Sequence, residues 1–154
     1  MARTATVLLF LLGAAALIGC SREGQVPRTI VSGKITLRGK PVTGAMVQFV
    51  PTGKAGEAGS ARTDEGGRYE LMSAKGAAGV VPGDYKVVLS RMVGPDGKDL
   101  PPDVSPYSAG GKETMPRIYS SAEDTILITV VPPAPTASID FPLTGQAGAM
   151  TGAR

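Results

Sequence analysis

Hydrophobic and polar residues alternate along several short segments of the chain, and this alternation predicts β-strands. Residues 29–38 show it most clearly, because polar side chains (Ser32, Lys34, Thr36) occupy every second position between apolar ones. A period of two is typical of a strand that buries one face and exposes the other. The predicted inner face of this segment carries Val31, Gly33, Ile35 and Leu37.

Six further segments show strand patterns and are separated by turns rich in Gly, Pro and Asp. They lie at residues 45–51, 61–63, 68–72, 84–91, 125–131 and 137–143. Their predicted inward residues are Val47, Phe49, Tyr69, Leu71, Tyr85, Val87, Leu89, Ile126, Ile128, Val130, Ile139, Phe141 and Leu143. Pro142 predicts an edge strand or a strand end, since it cannot donate to a ladder.

No segment after Cys20 has a sustained helical period. Seven short strands without helices predict an all-β fold, a seven-stranded Greek-key β-sandwich, with a small barrel as the alternative.

Composition narrows the chemistry that the chain can perform. The 154 residues suggest one domain, and they include one Cys, no His and no Trp. Without His there is no Ser-His-Asp or Cys-His catalysis and no imidazole metal site. One Cys excludes an internal disulfide and a thiolate zinc centre. We therefore predict no enzyme activity, no cofactor and no metal site.

The first twenty residues have the pattern of an export signal. Arg3 is followed by thirteen uncharged, mostly apolar residues at 7–19, fewer than the about 20 that a membrane-spanning helix needs. Leu17-Ile18-Gly19-Cys20 resembles the bacterial lipobox, in which the Cys receives a diacylglyceryl group and the signal is cleaved before it. The resemblance implies a lipoprotein signal peptide at 1–19, lipidation at Cys20 and a tether at 20–28. The alternative is that Cys20 is a buried thiol.

This resemblance also implies a location. The protein would be attached to a membrane of the cell envelope through its N-terminal lipid. Ser21 follows the Cys where an Asp favours retention in the inner membrane, so the outer membrane is preferred, with the domain facing the periplasm or the surface.

Four motifs in order point to a family. They are Val31-Ser32-Gly33-Lys34-Ile35, the segment 39–51 that begins Gly39-Lys40-Pro41-Val42, the segment Thr63-Asp64-Glu65-Gly66-Gly67-Arg68-Tyr69, and Pro82-Gly83-Asp84-Tyr85-Lys86-Val87. Together they resemble a carboxypeptidase regulatory-like domain. The resemblance implies an immunoglobulin-like or transthyretin-like sandwich over residues 29–144 that carries no catalytic residues. Relatives of this module bind carbohydrate or protein in some contexts.

Acidic residues cluster in two places that suggest a metal site. Asp64 and Glu65 precede Gly66-Gly67 and could be joined by Asp84 from elsewhere in the chain. Asp96, Asp99 and Asp103 share one Pro-rich segment. These carboxylates are not spaced as they are in a calcium-binding loop. We therefore expect them to form turns, with Asp64 capping one. Basic and acidic residues are interspersed along the chain, and the formal net charge is +3. This distribution predicts no nucleic-acid partner.

The segment 93–118 is the longest stretch without a strand pattern. It contains five Pro and four Gly residues, and connections beyond about 12–15 residues are usually functional or disordered. Leu100, Val104, Tyr107 and Met115 could pack back on the sandwich or contact a partner. We expect the tail 145–154, small and polar, to be disordered.

Taken together, the sequence predicts a lipid-anchored, non-catalytic module that acts in binding or scaffolding, with an envelope protein or glycan as partner. One alternative is an accessory subunit that localises or stabilises a separate envelope enzyme or transporter. A weaker alternative is an enzyme that uses Asp, Glu, Lys or Tyr of the long segment.

Overall fold

Strands make up nearly all of the regular structure. The computed structural model describes residues 27–54, 56–101 and 103–145, so the predicted signal peptide, Cys20 and nearly all of the predicted tail lie outside the described residues. The elements are β1 (Ile30–Leu37), β2 (Lys40–Pro41), β3 (Met46–Pro51), β4 (Gly59–Arg62), β5 (Arg68–Glu70), β6 (Met72–Ser73), β7 (Gly83–Ser90), β8 (Met92–Val93), β9 (Lys112–Glu113), α1 (Arg117–Ser120), β10 (Ile128–Val131), β11 (Thr136–Ser138) and β12 (Phe141–Leu143). The predicted all-β class is confirmed.

Two five-stranded sheets face each other. In the first, the β1 sheet, β1 pairs in parallel with β11 and then β12, and it pairs antiparallel with β5 and β2. The second, the β7 sheet, has the order β10-β7-β3-β4-β6 and is antiparallel throughout. A two-stranded ribbon of β8 and β9 lies outside both sheets.

Four aromatic rings form the centre of the core between the sheets. The Phe49 ring lies 5.8 Å from the Tyr85 ring, 6.2 Å from Phe141 and 6.3 Å from Tyr69, measured between centroids. Phe49 and Tyr85 come from the β7 sheet, and Tyr69 and Phe141 from the β1 sheet. These rings therefore join the two sheets, and aromatic pairs at such distances stabilise a core beyond their buried area. Predicted inward residues that are buried are Val31, Ile35, Val47, Phe49, Tyr69, Leu71, Tyr85, Val87, Leu89, Phe141 and Leu143.

The predicted inner face of the strand near residue 128 was wrong by one position. Ile128 and Val130 are 64% and 62% exposed and Ile126 is exposed as well, whereas Leu127 and Val131 are buried. The segment 126–131 is apolar on both faces, so its own pattern cannot choose between them. Pairing with β7 decides the choice, because Thr129 lies opposite the inward-pointing Tyr85.

The single strand predicted at 137–143 is two strands separated by a bulge at Ile139 and Asp140. The Ile139 amide donates to the Ser32 carbonyl at 2.8 Å, and the Lys34 amide donates to the Asp140 carboxylate at 2.7 Å. The side chain of Asp140 thus accepts the bond that a strand carbonyl would take in a regular ladder. Among the described residues β12 pairs only with β1, which confirms the edge position expected from Pro142.

One helical turn, α1, begins near the end of the predicted loop 93–118 and extends two residues beyond it. It begins after Pro116 and buries Tyr119 in the core. Four residues are too few to show a helical period in the sequence. Its place is set by packing, since α1 lies against β7.

Candidate functional site

Among the residues that the structure describes, the longest irregular connection joins β8 to β9. We call residues 94–111, of which 102 is not described, the excursion. Pairing of β8 with β9 closes its base, with Val93 opposite Lys112 and Met92 opposite Glu113. The predicted loop 93–118 is therefore shorter at both ends, because it includes strand residues and the first two residues of α1. Its two ends are held side by side.

The carboxylate of Glu113 fixes this base. The Ser90 hydroxyl donates to one oxygen at 2.5 Å, and the backbone amides of Arg91 and Met115 donate to the other at 2.9 and 2.8 Å. Hydrogen bonds to an ionised acceptor are about twice as strong as neutral ones. One side chain therefore connects the end of β7 and the residue before β8 to the chain just after β9.

Two arginines attach the first half of the excursion to the sandwich. The Arg91 guanidinium donates to the Thr43 carbonyl at 2.8 Å and forms an ion pair with Asp99 at 2.7 Å. The Arg62 guanidinium donates to the Leu100 carbonyl at 3.3 Å. Arg62 also donates to the Gly44 carbonyl at 3.2 Å, so both arginines join the excursion to the turn before β3.

The apolar residues of the predicted loop divide between the core and the solvent. Met115 is buried in the core and Leu100 is half-buried, whereas Val104 is exposed. Tyr107 is 97% exposed, more than any other large apolar side chain described. The far end of an attached segment therefore presents an aromatic ring to solvent.

Three acidic residues from the candidate metal positions, Asp64, Asp96 and Asp99, form contacts within the protein. One Asp64 oxygen accepts the amides of Gly66 and Arg68 at 2.9 and 2.8 Å, which confirms Asp64 as a turn cap. Asp96 accepts the Lys98 amide at 3.1 Å, and Asp99 pairs with Arg91. Within residues 27–54, 56–101 and 103–145, no group of three His, Cys, Asp or Glu side chains is arranged to hold a metal ion.

An open depression of about 720 Å³ lies on the outer face of the β1 sheet. Charged side chains of both signs line it, among them Lys34, Arg68, Glu70 and Asp140. Each lies within reach of water, and Asp140 already accepts the Lys34 amide.

Shifted pKa values occur at two core tyrosines, Tyr69 and Tyr85, and at one exposed cluster. Burial raises the pKa of Tyr69, and the negative charge of Asp140 adds to this shift. Burial also raises the pKa of Tyr85. On the exposed connection after α1, the hydrogen bond from Arg117 lowers the pKa of the Asp124 carboxyl. None of these groups lies on the excursion.

Sequence reasoning singled out the excursion but not the residues that hold it. Arg91 and Glu113 belong to no sequence motif. The feature of the sequence that could have pointed to them is their position at the two ends of the Pro- and Gly-rich segment. Cys20 lies outside the described residues, so its lipidation stays a prediction.

No family model, no curated protein and no solved structure matches the chain. In the part of the chain that the structure describes, no helix has the length and apolarity required to cross a bilayer.

Proposed function

We propose that the chain is a lipid-anchored, non-catalytic module of the bacterial cell envelope that binds an envelope protein or glycan through the excursion. Its fold would be a seven-stranded Greek-key sandwich of immunoglobulin-like or transthyretin-like type, in which β11 and β12 count as one interrupted strand and the two-residue strands β2, β6, β8 and β9 are additions. The observation that carries the binding role is the exposure of Tyr107 on a segment whose base is fixed.

A fixed base matters because binding costs conformational entropy when a loop must become ordered. Glu113 and Arg91 hold the excursion before any partner arrives, so less of that cost remains. Tyrosine is frequent among residues that dominate binding energy, since its ring gives contact area and its hydroxyl a hydrogen bond. An exposed tyrosine on a segment that is already attached has the properties of a residue that contacts a binding partner.

The anchor is supported by Leu17-Ile18-Gly19-Cys20 at the end of an uncharged stretch. The segment from Ser21 to Arg28 spans at most about 26 Å when extended. Arg28 forms an ion pair with Glu57, in which both side chains are largely buried. The tether would therefore end at a fixed point on the domain, close to the bilayer.

The anchor is tested by the intact mass of the full chain extracted from membranes in detergent. We expect a product that begins at Cys20 and carries added acyl mass. The Cys20→Ser variant should lose both this mass and its partition into the detergent phase. A wild-type product that begins at Met1, or one without acyl mass, would contradict the proposal.

The binding role is tested by a photoreactive phenylalanine placed at position 107 in envelope preparations, with the same residue at exposed Ser138 as the control. We expect discrete adducts from position 107 only, and loss of glycan-array signal in Tyr107→Ala if the partner is a glycan. A stoichiometric envelope enzyme or transporter in the adduct would favour the accessory-subunit alternative. Equal labelling from both positions would contradict binding through the excursion.

A further inference from the structure

The outer faces of the two sheets differ in polarity. The outer face of the β1 sheet is mostly polar, with Ser32, Lys34, Arg68, Glu70 and Ser138 exposed or half-buried, and it carries one exposed aliphatic side chain among the described residues, Ile30. The outer face of the β7 sheet carries exposed aliphatic side chains, which are Met46, Val50, Met72, Ile128 and Val130. The two most exposed of these, Ile128 and Val130, lie together on β10, the edge strand.

The free side of β10 has backbone groups that the β7 ladder does not use. The Val87 amide donates to the Leu127 carbonyl at 2.9 Å, and Thr129 lies opposite Tyr85. Bonded and non-bonded pairs alternate in an antiparallel ladder, so positions 127, 129 and 131 bond to β7. The amides and carbonyls of Ile128 and Val130 therefore point away from the sheet.

The stretch of β10 with unused backbone groups ends at the same number of residues before and after Thr129. Three residues before it, the Ile126 amide already donates to the Ile118 carbonyl at 3.3 Å. Three residues after it, Pro132 has no amide, and its carbonyl accepts the Thr29 hydroxyl at 2.6 Å. The available groups are thus symmetric about Thr129, which is the requirement for pairing with an identical strand around a two-fold axis.

We propose that β10 pairs antiparallel with β10 of a second copy of this chain, with the two-fold axis at Thr129. Ile128 of each copy then lies opposite the partner's Val130, and the two pairs exchange four backbone hydrogen bonds. The aliphatic outer rows of the two copies become continuous. The contact is short, so the dimer is weak and depends on concentration.

Charge complementarity favours this occupant and this direction. In the β7 sheet, Lys86 lies beside Ile128 and Asp84 lies beside Val130, and both point outward. The antiparallel arrangement places Lys86 of each copy on the same row as the partner's Asp84. A parallel arrangement in register would align lysine with lysine. In addition, the segment 126–131 has no charge and no Pro, the features that usually protect an edge strand from pairing.

The first test measures self-association of the full chain in detergent by analytical ultracentrifugation. We expect Ile128→Lys to weaken the dimer by about tenfold or more, since it places a charge in the paired edge. Val50→Lys is the matched control, because Val50 flanks Lys86 on its other side, in the same outer row but away from the edge. Unchanged far-ultraviolet circular dichroism in both variants separates loss of the dimer from loss of the fold.

The second test uses disulfide formation. Thr129→Cys places two thiols at the axis, in a non-bonded pair with Cα atoms about 4.5 Å apart, and should give a covalent dimer under mild oxidation. Ser138→Cys, on the polar face, and the wild type are the controls. Three results would overturn the proposal: a monomer at the highest soluble concentration, equal weakening by Val50→Lys, or equal cross-linking through position 138.

Discussion

The Tyr69 hydroxyl donates a hydrogen bond of 2.6 Å to the carbonyl oxygen of Ile139. Tyr69 belongs to β5, on one side of β1, and Ile139 belongs to the bulge on the other side. The bond therefore crosses β1, and it does so at Gly33, which lies opposite Tyr69 in the ladder. A Cβ atom on Gly33 would stand 1.9 Å from the same carbonyl oxygen and 3.0 Å from the tyrosine ring. The absent side chain makes the crossing possible.

Removing this bond tests its contribution to stability. Tyr69→Phe keeps the ring in the core but takes away the donor for the Ile139 carbonyl. We expect the free energy of unfolding to fall by about 1–2 kcal/mol, measured by denaturant titration, because a partly buried acceptor loses its partner. An unchanged midpoint would mean that water replaces the hydroxyl without cost.

The same tyrosine predicts a dependence of stability on pH. Burial, and then the charge of Asp140, raise the pKa of Tyr69 above its ordinary value, so the unfolded chain loses this proton first. The stabilising contribution is therefore complete below about pH 10 and declines as pH rises above it. We expect the free energy of unfolding to fall in alkaline solution, and to fall less steeply in Tyr69→Phe.

Tyr107→Phe is the control for the pH experiment, since that ring is exposed. Burial also raises the pKa of Tyr85, so part of the alkaline decline should persist in Tyr69→Phe. An alkaline slope that is identical in wild type and Tyr69→Phe would contradict the assignment.

Gly33 offers a test of the crossing itself. We expect Gly33→Ala to destabilise the fold by about 2–4 kcal/mol, because the new methyl group overlaps backbone atoms that cannot rotate away. Gly53→Ala is the matched control, since nothing lies within 4 Å of its Cβ position. Equal melting temperatures for the two variants would show that the bulge moves to admit a side chain.

Alternation predicted the core well where one face of a strand is polar, and failed where neither face is. β1 alternates polar and apolar residues, so Val31 and Ile35 were placed correctly. The run 126–131 offers aliphatic residues to both faces, and only its pairing with β7 reveals which of them point inward. The pairing with β7 cannot be inferred from the residues of this segment alone. The prediction was therefore right that the segment is a strand and wrong about which of its faces is buried.

The structure of the excursion could not be predicted from the pattern of its own residues, for a related reason. Its attachment depends on contacts between distant positions, such as the bond from Arg91 to Thr43 and the bond from Arg62 to Leu100. Gly and Pro content predicted an irregular segment, which is correct. It does not distinguish a segment that is attached from one that is free.

The centre of the aromatic core predicts the largest effect of a single truncation. Phe49 is fully buried and contacts rings from both sheets, so Phe49→Ala should lower the free energy of unfolding by about 3–5 kcal/mol. Val50→Ala is the control, because its side chain points outward from the same strand. A loss below about 1 kcal/mol for Phe49→Ala would require a core that collapses into the cavity.

The anchoring of the excursion is tested through Glu113. Glu113→Ala removes the acceptor of two backbone amides and one hydroxyl, so the base of the excursion should open more often. We expect hydrogen exchange at Arg91 and Met115 to accelerate by about tenfold or more, while amides of β3 keep their protection. Lys112→Ala, at the adjacent exposed position, should change neither. If exchange rises equally along β3, Glu113 stabilises the whole sandwich; if it rises only near the base, the carboxylate acts locally, as the geometry indicates.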